Sequence, residues 1–206
     1  MGQDMSSVDN PSGFQLYGPC LRQRMYAVQT APTINVFHGD IVVHGGTALT
    51  TAYGSMSIIE DGSVPDDKGA PTYIGAVTAI FDEDMMPVNY ILAAEAGDAA
   101  VAGYVMVADH PDQLFIAQED GVTNAITLSE FGYNAEIQSV AVCLGDTNTG
   151  ISTQEIASVT AAATATLGLK LHYPHPDDTI ADDTNCHARW ICSINEHFFG
   201  TATAGL

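Results

Sequence analysis

The residues best suited to chemistry form one run near the C-terminal end, where histidine and aspartate recur at short intervals. Imidazole and carboxylate groups are common ligands of transition metals. The candidate ligands are His172, His175, Asp177 and Asp178, followed by Cys186, His187 and His197. Pro174 and Pro176 restrict the backbone within the run, and the spacing matches no familiar zinc motif. We therefore expect a structural loop, and a metal-dependent enzyme is the alternative that a metal analysis would test.

Other reactive arrangements are weaker. Acidic clusters at 66–67 and 82–84 invite a calcium interpretation, but they lack the alternating oxygen ligands and glycine of an EF-hand loop, so solvated turns are expected. The sequence shows no G-x-S-x-G motif, no phosphate-binding glycine loop and no convincing Cys/His nucleophile pair. We accordingly predict a protein that is not an enzyme, with no catalytic residues, no metal and no cofactor.

Charge and composition restrict the possible partners. The chain has 206 residues, 46% hydrophobic content and a formal net charge of -20, with five Lys or Arg against 25 Asp or Glu. This length and hydrophobic content suit one domain with a sizeable core. Nucleic-acid binding requires clustered cations, so no nucleic-acid partner is expected. The sequence shows no signal-peptide pattern and no apolar run of membrane-spanning length, so no membrane partner is expected either.

The N-terminal region combines large apolar groups with positive charge. Residues 1–13 are polar and without periodicity, whereas 14–26 contain two of the five cations. Aromatic residues and arginine are enriched at the centres of protein interfaces. The candidate partner-binding anchors are Phe14, Tyr17, Leu21, Arg22, Arg24 and Tyr26. The alternative is a first edge strand folded onto the protein's own core.

The rest of the chain has a β-type pattern. Short apolar runs separated by turn residues, without a clear amphipathic helix, predict an all-β barrel or sandwich. We expect an extended N-terminal arm at 1–26 and a single β-rich domain at 27–206. Residues 104–120 are predicted to form a core hairpin with its turn at 109–112. Exposed loops are predicted at 60–71 and 144–158.

Four blocks of the sequence lie at 107–120, Gly132-Tyr133-Asn134-Ala135, 164–170 and 190–200, and a distinctive opening lies at 13–19. In order and spacing these four blocks resemble a family of tailed-bacteriophage virion proteins, and the opening also resembles that family. The chain departs from the family near Gly150, where a basic residue would be expected, and in the acidic region 174–178. Members of the family are small β-rich head proteins, described as decoration or cement proteins.

The resemblance implies a structural protein with no catalytic residues. We expect it to bind the outer surface of the capsid and to stabilise contacts between subunits of the major capsid protein. Self-association is also expected, as a homotrimer or alternatively as a dimer. The other hypothesis is a virion fibre or surface protein that recognises host glycans through the loops at 60–71 and 144–158. Those loops contain no aromatic residue to lie over a sugar ring, which disfavours this hypothesis.

Overall fold

The computed structural model of the protein describes residues 8–29, 35–51, 54–61, 73–92, 101–121, 125–138, 145–180 and 186–200. Regular structure within those ranges is β-strand apart from a short 3-10 helix at Leu128–Glu130. The predicted all-β class is confirmed. None of the described helical structure is long and apolar enough to cross a membrane.

The strands fall into three groups. In chain order they are β1 (Gln15–Leu16), β2 (Gln23–Gln29), β3 (Val36–Phe37), β4 (Ile41–Thr51), β5 (Gly54–Asp61), β6 (Tyr73–Phe81), β7 (Tyr90–Ile91), β8 (Val101–Ala108), β9 (Phe115–Gln118), β10 (Asn134–Ile137), β11 (Ile156–Ala162), β12 (Leu169–Pro174) and β13 (Arg189–Ile194). One sheet has the order β1-β9-β13-β12-β10-β11, and its paired strands are antiparallel. Strands β3 and β7 form a separate pair.

The remaining five strands close into a ring in the order β2-β5-β4-β6-β8. Closure results from β2, which pairs in parallel with β5 and antiparallel with β8. Closing a sheet in this way leaves its members without free edges.

The buried apolar side chains of the described residues form several clusters, of which two are large. The first joins the six-stranded sheet to strands of the ring and includes Phe14, Phe115, Leu169 and Trp190, each 0% or 1% exposed. The second cluster includes Tyr26, Val28, Ile80, Val105 and Val107 from the ring. Burial of one such large side chain contributes about 1.5–3 kcal/mol. Leu169 and Leu171 of β12 lie on the same face of the strand, and both side chains are fully buried.

The stretch at 104–120 contains the two predicted strands and the predicted turn, but the hairpin prediction is wrong. Strand β8 pairs with β2 and β6 in the ring, whereas β9 pairs with β1 and β13 in the other sheet. The connection at 109–114 therefore carries the chain from one sheet to the other. Both strands are apolar on each face, so local sequence gave no preference between pairing with each other and pairing with distant strands.

Residues 14–29 belong to the folded body, which corrects the expectation of an extended arm. Phe14 is buried in the first core, and β1 is an edge strand that pairs with β9. The boundary predicted at residue 26 lies inside β2, which pairs with β8 along Gln23–Gln29. The apolar side chains of this segment fill cores that the rest of the chain would otherwise leave open.

The predicted exposed loop at 144–158 is partly buried. Ser152 and Gln154 are 0% and 1% exposed, and Gln154 Oε1 accepts a hydrogen bond of 2.7 Å from the backbone N–H of Ile41. Strand β11 already begins at residue 156. The polar composition of this segment predicts exposure to solvent, but buried polar side chains such as Gln154 bind backbone groups instead. Most of the loop predicted at 60–71 lies outside the described residues.

Candidate partner-binding surface

The buried carboxylate of Asp109, which directly follows β8, accepts hydrogen bonds from polar side chains in and just before β2. The side chain of Asp109 is fully buried and accepts hydrogen bonds from Arg22 Nε at 2.7 Å, from Arg24 Nε and from Tyr26 Oη at 2.5 Å. Alternate residues of a strand point to the same side, which is why residues 22, 24 and 26 reach one acceptor. Arg22 Nη2 also donates to the backbone oxygen of Asp109 at 2.6 Å.

These contacts set the protonation of Asp109. Burial alone would raise the pKa of Asp109, but the hydrogen bonds from Tyr26, Arg22 and Arg24 outweigh it and hold that pKa below its usual range. The Tyr26 hydroxyl has its pKa raised by burial and by the same carboxylate. At neutral pH Asp109 is therefore ionised and fixes both guanidinium groups.

Two phenylalanines beyond the end of β13 remain open to solvent, and one of them, Phe199, covers these arginines. Phe198 and Phe199 are 41% and 43% exposed, and their rings meet edge to face with centroids 5.0 Å apart. The guanidinium carbons of Arg24 and Arg22 lie 4.4 Å and 5.4 Å from the centroid of the Phe199 ring. His44 stacks on the other ring, Phe198, at 4.5 Å. We call the surface formed by Arg22, Arg24, Phe198 and Phe199 the arginine–aromatic patch.

The six predicted partner-binding anchors differ in how far their side chains are exposed to solvent. Arg22 and Arg24 keep 38% and 45% of their side chains exposed within the patch, and Leu21 beside them is 50% exposed. Phe14 and Tyr26 are 1% and 4% exposed, so they stabilise the fold and are not accessible to a partner in this conformation.

The remaining anchor, Tyr17, is half-buried and packs edge to face on Tyr173, with ring centroids 6.3 Å apart. It lies outside the patch as defined. Phe198 and Phe199 were not among the predicted anchors, because 198–206 reads as a tail of small residues. Two adjacent phenylalanines within a short polar and small-residue segment were the signal that could have identified them.

His197 supports the patch from below. It is 1% exposed, and its Nδ1 accepts a hydrogen bond of 3.0 Å from the backbone N–H of Phe199. Burial lowers the pKa of His197 to about 4, although the nearby charge of Asp109 acts in the opposite direction. The neutral ring is thus the form that positions Phe199.

Acidification is expected to destabilise the protein through His197. The unfolded-state pKa of histidine is about 6.5, and the folded-state pKa of His197 is about 4. Between these values the unfolded chain binds a proton that the folded chain excludes, so stability falls as the pH is lowered through this window. A His197→Asn variant keeps an acceptor near the position of Nδ1 and should show a shallower loss. Urea unfolding at several pH values measures this, and equal slopes for both proteins would contradict it.

The candidate metal run at 172–178 does not form a site. His172 Nε2 lies 2.8 Å from Ser193 Oγ, while His175 Nδ1 lies 3.3 Å from Arg189 Nη2. Asp178 is bound to Arg189 by an ion pair of 2.6 Å. Within the described residues these side chains are not among those whose ligand atoms lie close enough together to hold one ion.

Comparisons with known proteins give no further guide. A scan of protein-family models, a search of curated proteins and a search of solved structures each returned no match to this chain. The chemistry of the patch and the sequence resemblance are therefore the two observations that bear on function.

Proposed function

We propose that this chain is a structural protein of a tailed-phage head, a decoration protein that binds the outer surface of the capsid. The arginine–aromatic patch would contact the major capsid protein, and several copies would stabilise contacts between its subunits. The observation that carries the proposal is the exposure of two adjacent phenylalanines, one of which packs on two ordered arginines.

The composition of the patch suits a protein partner. Aromatic residues and arginine supply most binding energy at interface hot spots, especially when they are rigid before binding. Asp109 orders Arg22 and Arg24, so little conformational entropy remains to be lost. A stable interface buries roughly 1,200–2,000 Å² in total. The patch would form its centre, with Leu21 at its side.

Charge supports the outer face of a capsid as the location. With a net charge of -20, the protein would be repelled by packaged DNA, whose phosphates favour basic proteins. The patch concentrates two of the five cations, whereas the remaining surface is acidic and would face solvent or basic regions of the capsid. Self-association as a homotrimer, or alternatively a dimer, would repeat the contact around a symmetry axis.

Co-sedimentation tests this proposal directly. Purified protein is mixed with phage particles or expanded empty shells at several salt concentrations, and the pelleted fraction is measured against the major capsid protein. We expect saturable binding at a fixed ratio. Added salt should weaken this binding, because ions screen the arginine contacts, but should not abolish it, because burial of the aromatic rings is insensitive to screening. Protein that stays in the supernatant at every salt concentration would refute it.

Host-glycan binding is the second candidate, and the exposed rings of Phe198 and Phe199 are what favours it. Aromatic faces can pack against the apolar side of a sugar ring. A glycan array distinguishes the two functions. Saturable glycan binding that is lost in Phe199→Ala, without binding to shells, would replace the capsid proposal.

A further inference from the structure

A second cluster of polar side chains lies away from the patch. A carboxylate oxygen of Asp9, one of Glu155 and a ring nitrogen of His187 all lie within 4.8 Å of one another. The three residues come from distant parts of the chain: the N-terminal segment, the residue before β11 and the segment before β13. Their convergence is therefore a product of the tertiary fold.

One buried glutamine brings two of these residues together. The amide of Gln118 donates to the backbone oxygen of Val8 at 2.6 Å and to that of His187 at 2.8 Å. Its Oε1 accepts a hydrogen bond of 3.0 Å from the backbone N–H of Asn10. Asp9 lies between the two bonded residues, so Gln118 holds its backbone against the segment that carries His187.

Glu155 and His187 each carry a buried polar atom without a hydrogen-bond partner in the described part of the chain. Glu155 is 9% exposed, and its Oε1 has no hydrogen-bond partner among the described residues. The Nδ1 atom of His187 is likewise buried without a partner in that part of the chain. A buried polar atom left in this state destabilises the fold. A ligand that accepts electron pairs from both atoms would remove this destabilisation.

The imidazole is held in place by its contacts. A Cβ atom on Gly121 would lie 2.4 Å from Cε1 of His187, so the ring packs directly on the glycine backbone.

The geometry points to a divalent transition-metal site of the zinc class, held by Asp9, Glu155 and His187. Imidazole and carboxylate are both ligands of zinc, whereas calcium and magnesium prefer oxygen ligands alone. Three protein ligands would leave one coordination position for water. The ion would fasten residues 8–10 to the six-stranded sheet and so stabilise the start of the folded chain.

Zinc titration of the full chain tests this inference. Cys20 is free and exposed and would bind zinc by itself, so all proteins are made in a Cys20→Ser background and stripped with chelator. Calorimetry with zinc chloride should show one ion bound per chain. Zinc at about 100-fold above its Kd should raise the Tm by roughly 5–10 °C. Absence of saturable binding by this protein would overturn the inference.

Matched variants separate this site from other zinc ligands. Asp9→Asn removes an exposed ligand with little risk to folding, and Glu155→Gln and His187→Gln remove the other two. Each is expected to weaken zinc binding at least tenfold and, at the same zinc concentration, to reduce the rise in Tm by about half or more. His175→Gln, in the run at 172–178, is the control and should bind as the parent does. Unchanged zinc affinity in Asp9→Asn and Glu155→Gln would refute the site.

Discussion

Replacing Phe199 with alanine is expected to weaken binding to capsid shells by about 30-fold or more. Removal of a central aromatic hot spot costs about 2 kcal/mol or more, which corresponds to that factor. The loss has two parts. The ring presents apolar surface to the partner, and it covers the guanidinium groups of Arg22 and Arg24 at 5.4 Å and 4.4 Å. Co-sedimentation over a range of protein concentrations gives the two dissociation constants.

Phe131 provides the matched control for this experiment. It is 52% exposed and lies in the turn after the 3-10 helix, outside the patch. Phe131→Ala removes the same side chain from the surface and should leave shell binding within about twofold. Equal losses in the two variants would mean that general surface hydrophobicity drives binding. Normal binding by Phe199→Ala would remove the patch from the proposed function.

Replacing Asp109 with asparagine is expected to lower the free energy of unfolding by about 2–4 kcal/mol. The carboxylate is fully buried and accepts from Arg22, Arg24 and Tyr26. Asparagine has nearly the same shape, but it carries no charge and presents an amide donor where a guanidinium donor now points. Urea unfolding at pH 7 measures the difference from the parent protein.

Asp112 is the control for Asp109, since it lies in the same turn with 87% of its side chain exposed. Asp112→Asn should change stability by no more than about 0.5 kcal/mol. The pKa of Asp109 is lowered in the folded state, so its contribution is present above the unfolded pKa of about 3.9 and is lost as the pH falls below that value. The difference between the parent and Asp109→Asn should shrink accordingly. A variant as stable as the parent at pH 7 would contradict this account.

The sequence by itself determined the fold class and part of the candidate surface. Short apolar runs with frequent turn residues can hardly form anything except strands, and the structure is all-β. Leu21, Arg22 and Arg24 were recognisable as candidate partner-binding residues. The protein has only five Lys or Arg, and two of them stand close to an apolar residue here. In each case the deciding physics is local to a few neighbouring residues.

Tertiary structure decided which strands pair and therefore which side chains meet. Strands β8 and β9 are neighbours in sequence, but they pair in different sheets. Because both strands are apolar on both faces, their own sequences do not determine which strands they pair with. The same global packing buries Phe14 and Tyr26 and places Phe199 over Arg24.

The meeting of Asp9, Glu155 and His187 also depends on the tertiary fold alone. The composition shows how many side chains could bind a partner or a metal ion, but it does not show which of them lie together. Their convergence is set by long-range contacts, which a sequence pattern of period two does not encode.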